Sequence, residues 1–177
     1  ADFGDLKEAL FHGEEAVRLA PESSEAPAAV GAVHIARDFD YTAQKHLEKA
    51  LELDPNNADA LRNLGLVFFR YETPEKAIDH YKKALKLRPR DSRIANNLGT
   101  VYLGLQKLEL AAKQFEIVLR RNPRHAVAMG KLGRVRQNQG RTHEALELYR
   151  QAIRLAPGSE VALGSLVEEL ERELKSE

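Results

Sequence analysis

Apolar residues in this chain recur three and four positions apart, with polar residues filling the gaps. In residues 59–71, Leu61, Leu64, Phe68 and Tyr71 form one such stripe, which predicts an amphipathic helix. Thr73 is placed to cap a second helix, and Pro74 suits its first turn, where no N–H is needed. That second helix turns Ala77, Tyr81, Ala84, Leu85 and Leu87 inward, and Pro89 stops it.

The same two-helix pattern repeats along the chain. Pro21, Pro55, Pro89, Pro123 and Pro157 are each 34 residues apart, and so are Ala9, Ala43, Ala77, Ala111 and Ala145. Gly31, Gly65, Gly99 and Gly133 keep the spacing, with Val30, Leu64, Leu98 and Leu132 before them. Large residues recur as Leu47, Tyr81, Phe115 and Tyr149, and Gly13 breaks that column at the start. The small residues have a steric role, since Gly65 and Ala77 let two helices approach to about 8–10 Å while Tyr81 fills the space left open.

In residues 58–91 the pattern is carried by Leu64, Gly65, Phe68, Ala77, Tyr81, Ala84 and Pro89, and it resembles the tetratricopeptide repeat (TPR) family. Residues 92–125 match through Leu98, Gly99, Tyr102, Ala111, Phe115 and Pro123, with Val118 where Ala is usual. Residues 126–159 match through Leu132, Gly133, Ala145, Tyr149, Ala152 and Pro157, with Arg136 in place of the first aromatic. Residues 24–57 match through Val30, Gly31, Ala43, Leu47, Ala50 and Pro55, with His34 in that slot. Residues 1–23 match only a second helix, through Ala9, Ala16 and Pro21. The resemblance implies one all-α domain over 1–177, a right-handed TPR-type α-solenoid of stacked antiparallel helix pairs. It comprises a half repeat at 1–23, four full repeats and a capping helix at 160–177.

In that last helix Leu163, Leu166, Val167, Leu170 and Leu174 share a stripe, with Glu168, Glu169, Glu171, Arg172 and Glu173 elsewhere, as the polar face of a terminal repeat requires. At the other end, a second helix without its first would expose Leu6, Leu10 and Val17. We therefore expect the native chain to continue upstream or another surface to cover that face.

Composition removes several function classes. The chain has 177 residues, 43% hydrophobic and 31% charged, which suits one globular domain and not a disordered chain. Without cysteine there is no disulfide, thiolate metal site or cysteine nucleophile. Its longest stretch free of charged residues, Ile94 to Gln106, has 13 residues, short of the ~18 that a membrane span needs. Compartment is left open, with the cytoplasm slightly favoured. The net charge of zero hides a pattern: residues 1–23, 24–57 and 160–177 carry −4, −3 and −4, whereas the three repeats over 58–159 carry +3, +4 and +4. A basic middle favours an acidic partner, and acidic ends facing basic middles would give a homo-oligomer.

By the TPR resemblance, the first helices line a concave groove where solenoids bind partners. The groove side would carry Arg62, Asn63, Leu66, Phe69 and Arg70, then Asn96, Asn97, Thr100 and Leu103, then Lys131, Arg134, Gln137 and Asn138. The first full repeat offers only Ala28, Ala29, Ala32 and Ile35 there, so the ligand is expected over the later repeats. Phe69, Leu66 and Leu103 are the expected apolar anchors. Co-chaperone TPR domains grip a C-terminal carboxylate; Arg62, Asn97 and Lys131 match three of the five clamp positions, and Leu66 and Val127 replace Asn and Lys at the others. In glycosyltransferase TPR superhelices an asparagine ladder binds peptide backbone, and Asn63 and Asn97 hold equivalent places, with Ala29 and Lys131 breaking the ladder on either side.

Catalysis has no foothold in the pattern. There is no Gly-rich phosphate loop, nucleophile elbow or paired metal-binding histidine motif. His12, His46 and His80 are 34 apart, but no carboxylate or thiolate recurs beside them, and they read as surface or packed histidines. Between Phe115 and Tyr149, where Arg120, Arg121, Arg124, Arg134, Arg136 and Arg141 cluster, no aromatic offers a base-stacking surface. The expectation is a scaffold or adaptor that binds a peptide segment or partner helix, not an enzyme, with no catalytic residue, metal or cofactor. A self-assembling scaffold is the alternative, and RNA binding ranks behind both.

Overall fold

The computed structural model describes residues 3–176, and among them it contains helices and turns but no strand. The helices are α1 (Phe3–Leu19), α2 (Glu25–Ala36), α3 (Asp40–Leu53), α4 (Ala58–Arg70) and α5 (Pro74–Leu87). They continue as α6 (Ser92–Gly104), α7 (Leu108–Arg121), α8 (Ala126–Asn138), α9 (Thr142–Leu155) and α10 (Glu160–Ser176), the last preceded by a 3-10 turn at Pro157–Ser159. The chain forms two compact units, Ala1–Ile94 and Ala95–Glu177, and the dividing point lies inside α6.

Both units rest on the same contact. In the first, Gly31 of α2 lies against Leu47 of α3 and Gly65 of α4 against Tyr81 of α5; a Cβ on these glycines would stand 2.6 Å and 2.8 Å from the facing side chain. In the second unit Gly99 meets Phe115 at 2.8 Å and Gly133 meets Tyr149 at 2.7 Å in the same sense. Real Cβ atoms do not approach carbon so closely, so each of these crossings requires glycine. Leu47, Tyr81, Phe115 and Tyr149 are all at most 1% exposed, and Ala43, Ala77, Ala111 and Ala145 are fully buried beside them. Gly13 plays the part differently: its Cβ would meet Val30 at 2.8 Å, so α1 closes onto α2 through a glycine of its own.

The turns repeat as faithfully as the core. Each first helix ends with a left-handed residue, at Asp38, Glu72, Gln106 and Gly140, with φ of 59°, 54°, 55° and 72°. The next N–H then reaches back to a carbonyl five residues earlier: Phe39 to His34, Thr73 to Phe68, Lys107 to Tyr102 and Arg141 to Arg136, all at 2.9 Å. This is the Schellman closure, which satisfies helix-end carbonyls that would otherwise lack partners. The second helices end in proline turns, in which Asn57, Asp91 and His125 N–H groups donate to the carbonyls of Asp54, Arg88 and Asn122. Pro55, Pro89 and Pro123 occupy the second position of those turns, where a φ near −65° is needed.

Several expectations change. Thr73 does not cap α5; its hydroxyl donates to the Phe68 carbonyl at 2.9 Å and ties the turn to the helix before it. Leu87 points outward at 41% exposure and Tyr71 at 44%, because each lies at the end of its helix, beyond the packed stripe. On α1, Leu6, Leu10 and Val17 are half-buried, and Phe11 and Leu19 are the residues that stand out into solvent. Arg136 keeps its inward place by ion pairing, at 2.8 Å to Glu116 and 3.5 Å to Glu144. The histidines at 46 and 80 pack on the residues of the aromatic slot, not on each other: His46 stacks on His34 with centroids 5.4 Å apart, and His80 lies 5.0 Å from Phe68. Among the described residues no cluster of histidines and carboxylates could hold a metal ion.

His34 is buried, and its Nδ1 has no hydrogen-bond partner among the described residues. Burial, then His46 and Arg37, hold its pKa below the ordinary 6.5, while Glu14 opposes them. The folded state therefore binds fewer protons here than the unfolded chain, so stability is full above pH 6.5 and declines as the pH falls from there toward the lowered folded value. Urea titrations of wild type and His34→Gln between pH 7.5 and ~5 should show a shallower decline in the variant.

A second prediction concerns glycine. Gly99→Leu should destabilise by about 1–3 kcal/mol through overpacking against Phe115. Gly104→Ala, whose Cβ would meet nothing within 4 Å, should instead stabilise by about 0.4–1 kcal/mol in the same urea assay.

Candidate binding surfaces

Each unit carries a sizeable cavity lined in part by side chains of first helices. In the first unit α2 offers Ala28, Ala29 and Ala32, and the bulk missing from these alanines opens a cavity of about 590 Å³. Arg62 and Asn63 of α4 form part of its wall with Asn57, Asp59 and Arg88. Asn57 is fixed there by three bonds: its Oδ1 accepts from Ala60 N–H at 2.9 Å, and its Nδ2 donates to Ser24 Oγ at 3.0 Å and to the Ser24 carbonyl at 3.3 Å. Asp59 pairs with Arg88 at 2.7 Å and more loosely with Arg62 at 3.6 Å. The Arg62 Nε is buried with no partner among the described residues, and Asn63 is 7% exposed.

Leu66 and Phe69 lie outside this cavity. Leu66 is half-buried against the core of Leu47, Leu64 and Val67, and Phe69 stands at the surface, 36% exposed. Arg70 is engaged in structure, with its guanidinium 2.8 Å from Asp40 and 3.2 Å from Asp38. Ile35 belongs to the core at 7% exposure, so the groove position expected for it is corrected. The three alanines are featureless in chemistry, and what they contribute is shape.

In the second unit a cavity of about 600 Å³ lies along α8. Four residues expected on the groove side, Leu103, Lys131, Arg134 and Asn138, line it together. Val127 and Tyr149 also line it, and α10 contributes Leu163 and Leu166. The Lys131 ammonium donates to Thr100 Oγ1 at 2.7 Å, and that hydroxyl donates to the Asn96 carbonyl at 2.8 Å. Asn96 and Thr100 thus support the lysine from behind; the Oδ1 of Asn96 is buried without a partner among the described residues. Asn97 is half-buried on the same helix and does not line the cavity.

Charge in this cavity is one-sided. No Asp or Glu lines it among the described residues. Desolvation holds the Lys131 pKa below the ordinary lysine value. Burial pushes the Tyr149 phenol up, with Arg134 acting against that, and its hydroxyl donates to Gln137 Oε1 at 2.8 Å. Leu163 and Leu166 belong by spacing to the single stripe of a capping helix. They are only half-buried, whereas Leu170 on the same stripe is 1% exposed against Ala145, Leu146 and Tyr149. A stripe that starts beside a cavity and ends in a core has two roles, and its spacing cannot separate them.

Helical hairpins closed by crossings of a glycine with a large side chain, repeating every 34 residues, define a protein built for stacking repeats. The tetratricopeptide repeat family model matches residues 42–92 and 96–160, so the chain belongs to that family. Among solved structures it is similar to YrrB, described as a TPR protein with an unusual peptide-binding site, with a TM-score of 0.74, 26% identity, and coverage of 92% of this chain and 84% of that one. It is also similar to MamA, with a TM-score of 0.76, 22% identity and coverage of 88% and 91%. A further similarity is to the APC/C hetero-tetramer Cut9-Hcn1, with a TM-score of 0.88 at 20% identity, spanning 94% of this chain and 33% of that one. These last two speak for the fold alone. The comparison with curated proteins found no match. No helix among the described residues is long and apolar enough to cross a membrane.

A partly desolvated cation with no counter-ion is a cost that binding sites carry and stable cores avoid. Lys131→Met keeps the length and apolar stem while removing the charge. It should raise stability by about 0.5–2 kcal/mol in chemical denaturation. A loss of stability instead would mean that the bond to Thr100 serves the fold.

Proposed function

We propose that the chain is a protein-interaction scaffold or adaptor, not an enzyme, that holds a peptide segment or partner helix of acidic character on its first helices. The reading rests above all on the second-unit cavity, where an apolar wall stands with a Lys131 that faces no carboxylate among the described lining residues. Its supports are the family membership and the similarity to a TPR protein described as having a peptide-binding site. Arg62, Lys131 and Arg134 are proposed to meet acidic groups, Asn63 and Asn97 peptide backbone, and Leu66, Phe69 and Leu103 apolar side chains, with Asn96 and Thr100 behind Lys131.

The test is affinity capture from a cell lysate, comparing wild type with an Arg62→Ala, Asn97→Ala, Lys131→Ala variant shown by circular dichroism to be equally helical. The expected outcome is a partner retained by the wild type and lost by the variant. Capture of the same partners by both proteins would overturn the assignment.

A second reading, a self-assembling scaffold, is favoured by α1. Phe11 is 64% and Leu19 72% exposed on a segment whose net charge is −4. A mass that rises with concentration and falls back in high salt would support that reading over the first.

A further inference from the structure

The cavity beside α10 has a chemistry narrower than "acidic peptide". Its walls are Leu103, Val127, Leu163 and Leu166, and Val127 at the lip is 58% exposed. An ammonium offers three donors, and Lys131 uses one on Thr100. Among the described lining residues none is acidic, so the remaining donors meet no carboxylate there. Such a site is complementary to an apolar group with a carboxylate close beside it, which would bury the leucines and neutralise the lysine in one event.

We infer that this cavity is a specificity pocket for an internal segment of a protein partner, taking a large aliphatic or aromatic side chain between α8 and α10 with the carboxylate of a neighbouring Asp or Glu on Lys131. The inference rests on the reading of the chain as a protein-binding scaffold, and adds to it where the partner's apolar residue goes and what must stand next to it. The size of the cavity, about 600 Å³, leaves room for more than one large side chain. A nucleic acid fits poorly: the one aromatic of the lining, Tyr149, is itself fully buried and offers no face for stacking. The Leu163 and Leu166 contacts also tie the ligand to α10, so occupancy holds the last helix onto α8 and α9.

The test is selection from a pool of ten-residue peptides, acetylated and amidated at their ends, on immobilised wild type and on Lys131→Gln. The variant keeps a donor toward Thr100, and its helicity is checked first. The retained pool should be enriched in Leu, Met or Phe next to Asp or Glu, and Lys131→Gln should lose the acidic preference while keeping the apolar one. For a selected peptide, replacing its acid by the amide should weaken binding about tenfold on wild type and leave binding to Lys131→Gln nearly unchanged. Hydrogen exchange of α10 amides should slow when the peptide is bound.

No retained peptide, or an acidic preference that survives in Lys131→Gln, would overturn the inference. So would retention that requires a free C-terminal carboxylate, or a cavity filled by a second copy of the chain, seen as a mass that doubles with concentration. If lysate capture still gives a partner that depends on Arg62, Asn97 and Lys131 while the peptide selection fails, the scaffold reading stands and the pocket assignment falls. If both fail, the scaffold reading falls with it.

Discussion

The close approach of glycine to a large side chain within each hairpin is the constraint on which both units depend. Gly65 under Tyr81 and Gly133 under Tyr149 leave no room for a methyl group, so the two helices meet at backbone distance and the ring fills the space. Everything else follows from that spacing. The alanines at 43, 77, 111 and 145 must stay small because they stand at the same crossings, and all four are fully buried. The variable slot one turn later tolerates His34, Phe68, Tyr102 and Arg136, because different chemistry satisfies each: stacking on His46, packing on His80, burial of Tyr102, and ion pairs to Glu116 and Glu144.

The turns show the same separation between what must be kept and what may vary. Every first helix closes with a left-handed residue 34 positions from the next, yet only Gly140 is a glycine. Asp38, Glu72 and Gln106 take a conformation that costs a side-chain-bearing residue about 1–2 kcal/mol. The two reciprocal bonds of the Schellman closure and the packing of the hairpins it joins offset that cost. Backbone geometry here is imposed by the tertiary contact, and local preference yields to it.

That is why the fold was legible and parts of it were not. Columns of Gly, Ala, Pro and a large residue at a fixed period are visible because steric exclusion leaves few residue types at those positions. The left-handed column is invisible by the same reasoning, since hydrogen bonding enforces it on Asp, Glu and Gln alike. Thr73 has the right identity for an N-cap and sits in the right place, but its hydroxyl turns back to the carbonyl of Phe68 and leaves the next helix uncapped. Leu87 and Tyr71 continue a helical period past the point where a neighbour is present to cover them. Periodicity reports which face a residue lies on; it does not report where that face runs out of partners.

The candidate site was legible in its charges and not in its shape. Leu103, Lys131 and Arg134 could be placed on one surface from repeat position, and they do line one cavity. The space itself comes from residues that say nothing in sequence: Ala28, Ala29 and Ala32 in the first unit, Ala126 and Gly130 in the second. A repeat fold makes this division natural. Positions that set hairpin geometry are fixed by sterics and carry no information about the partner, so recognition is left to residues free to vary. A small residue then makes room, and on the proposed reading a charge such as Lys131, held among leucines with no counter-ion among the described residues, supplies the demand that a partner would meet.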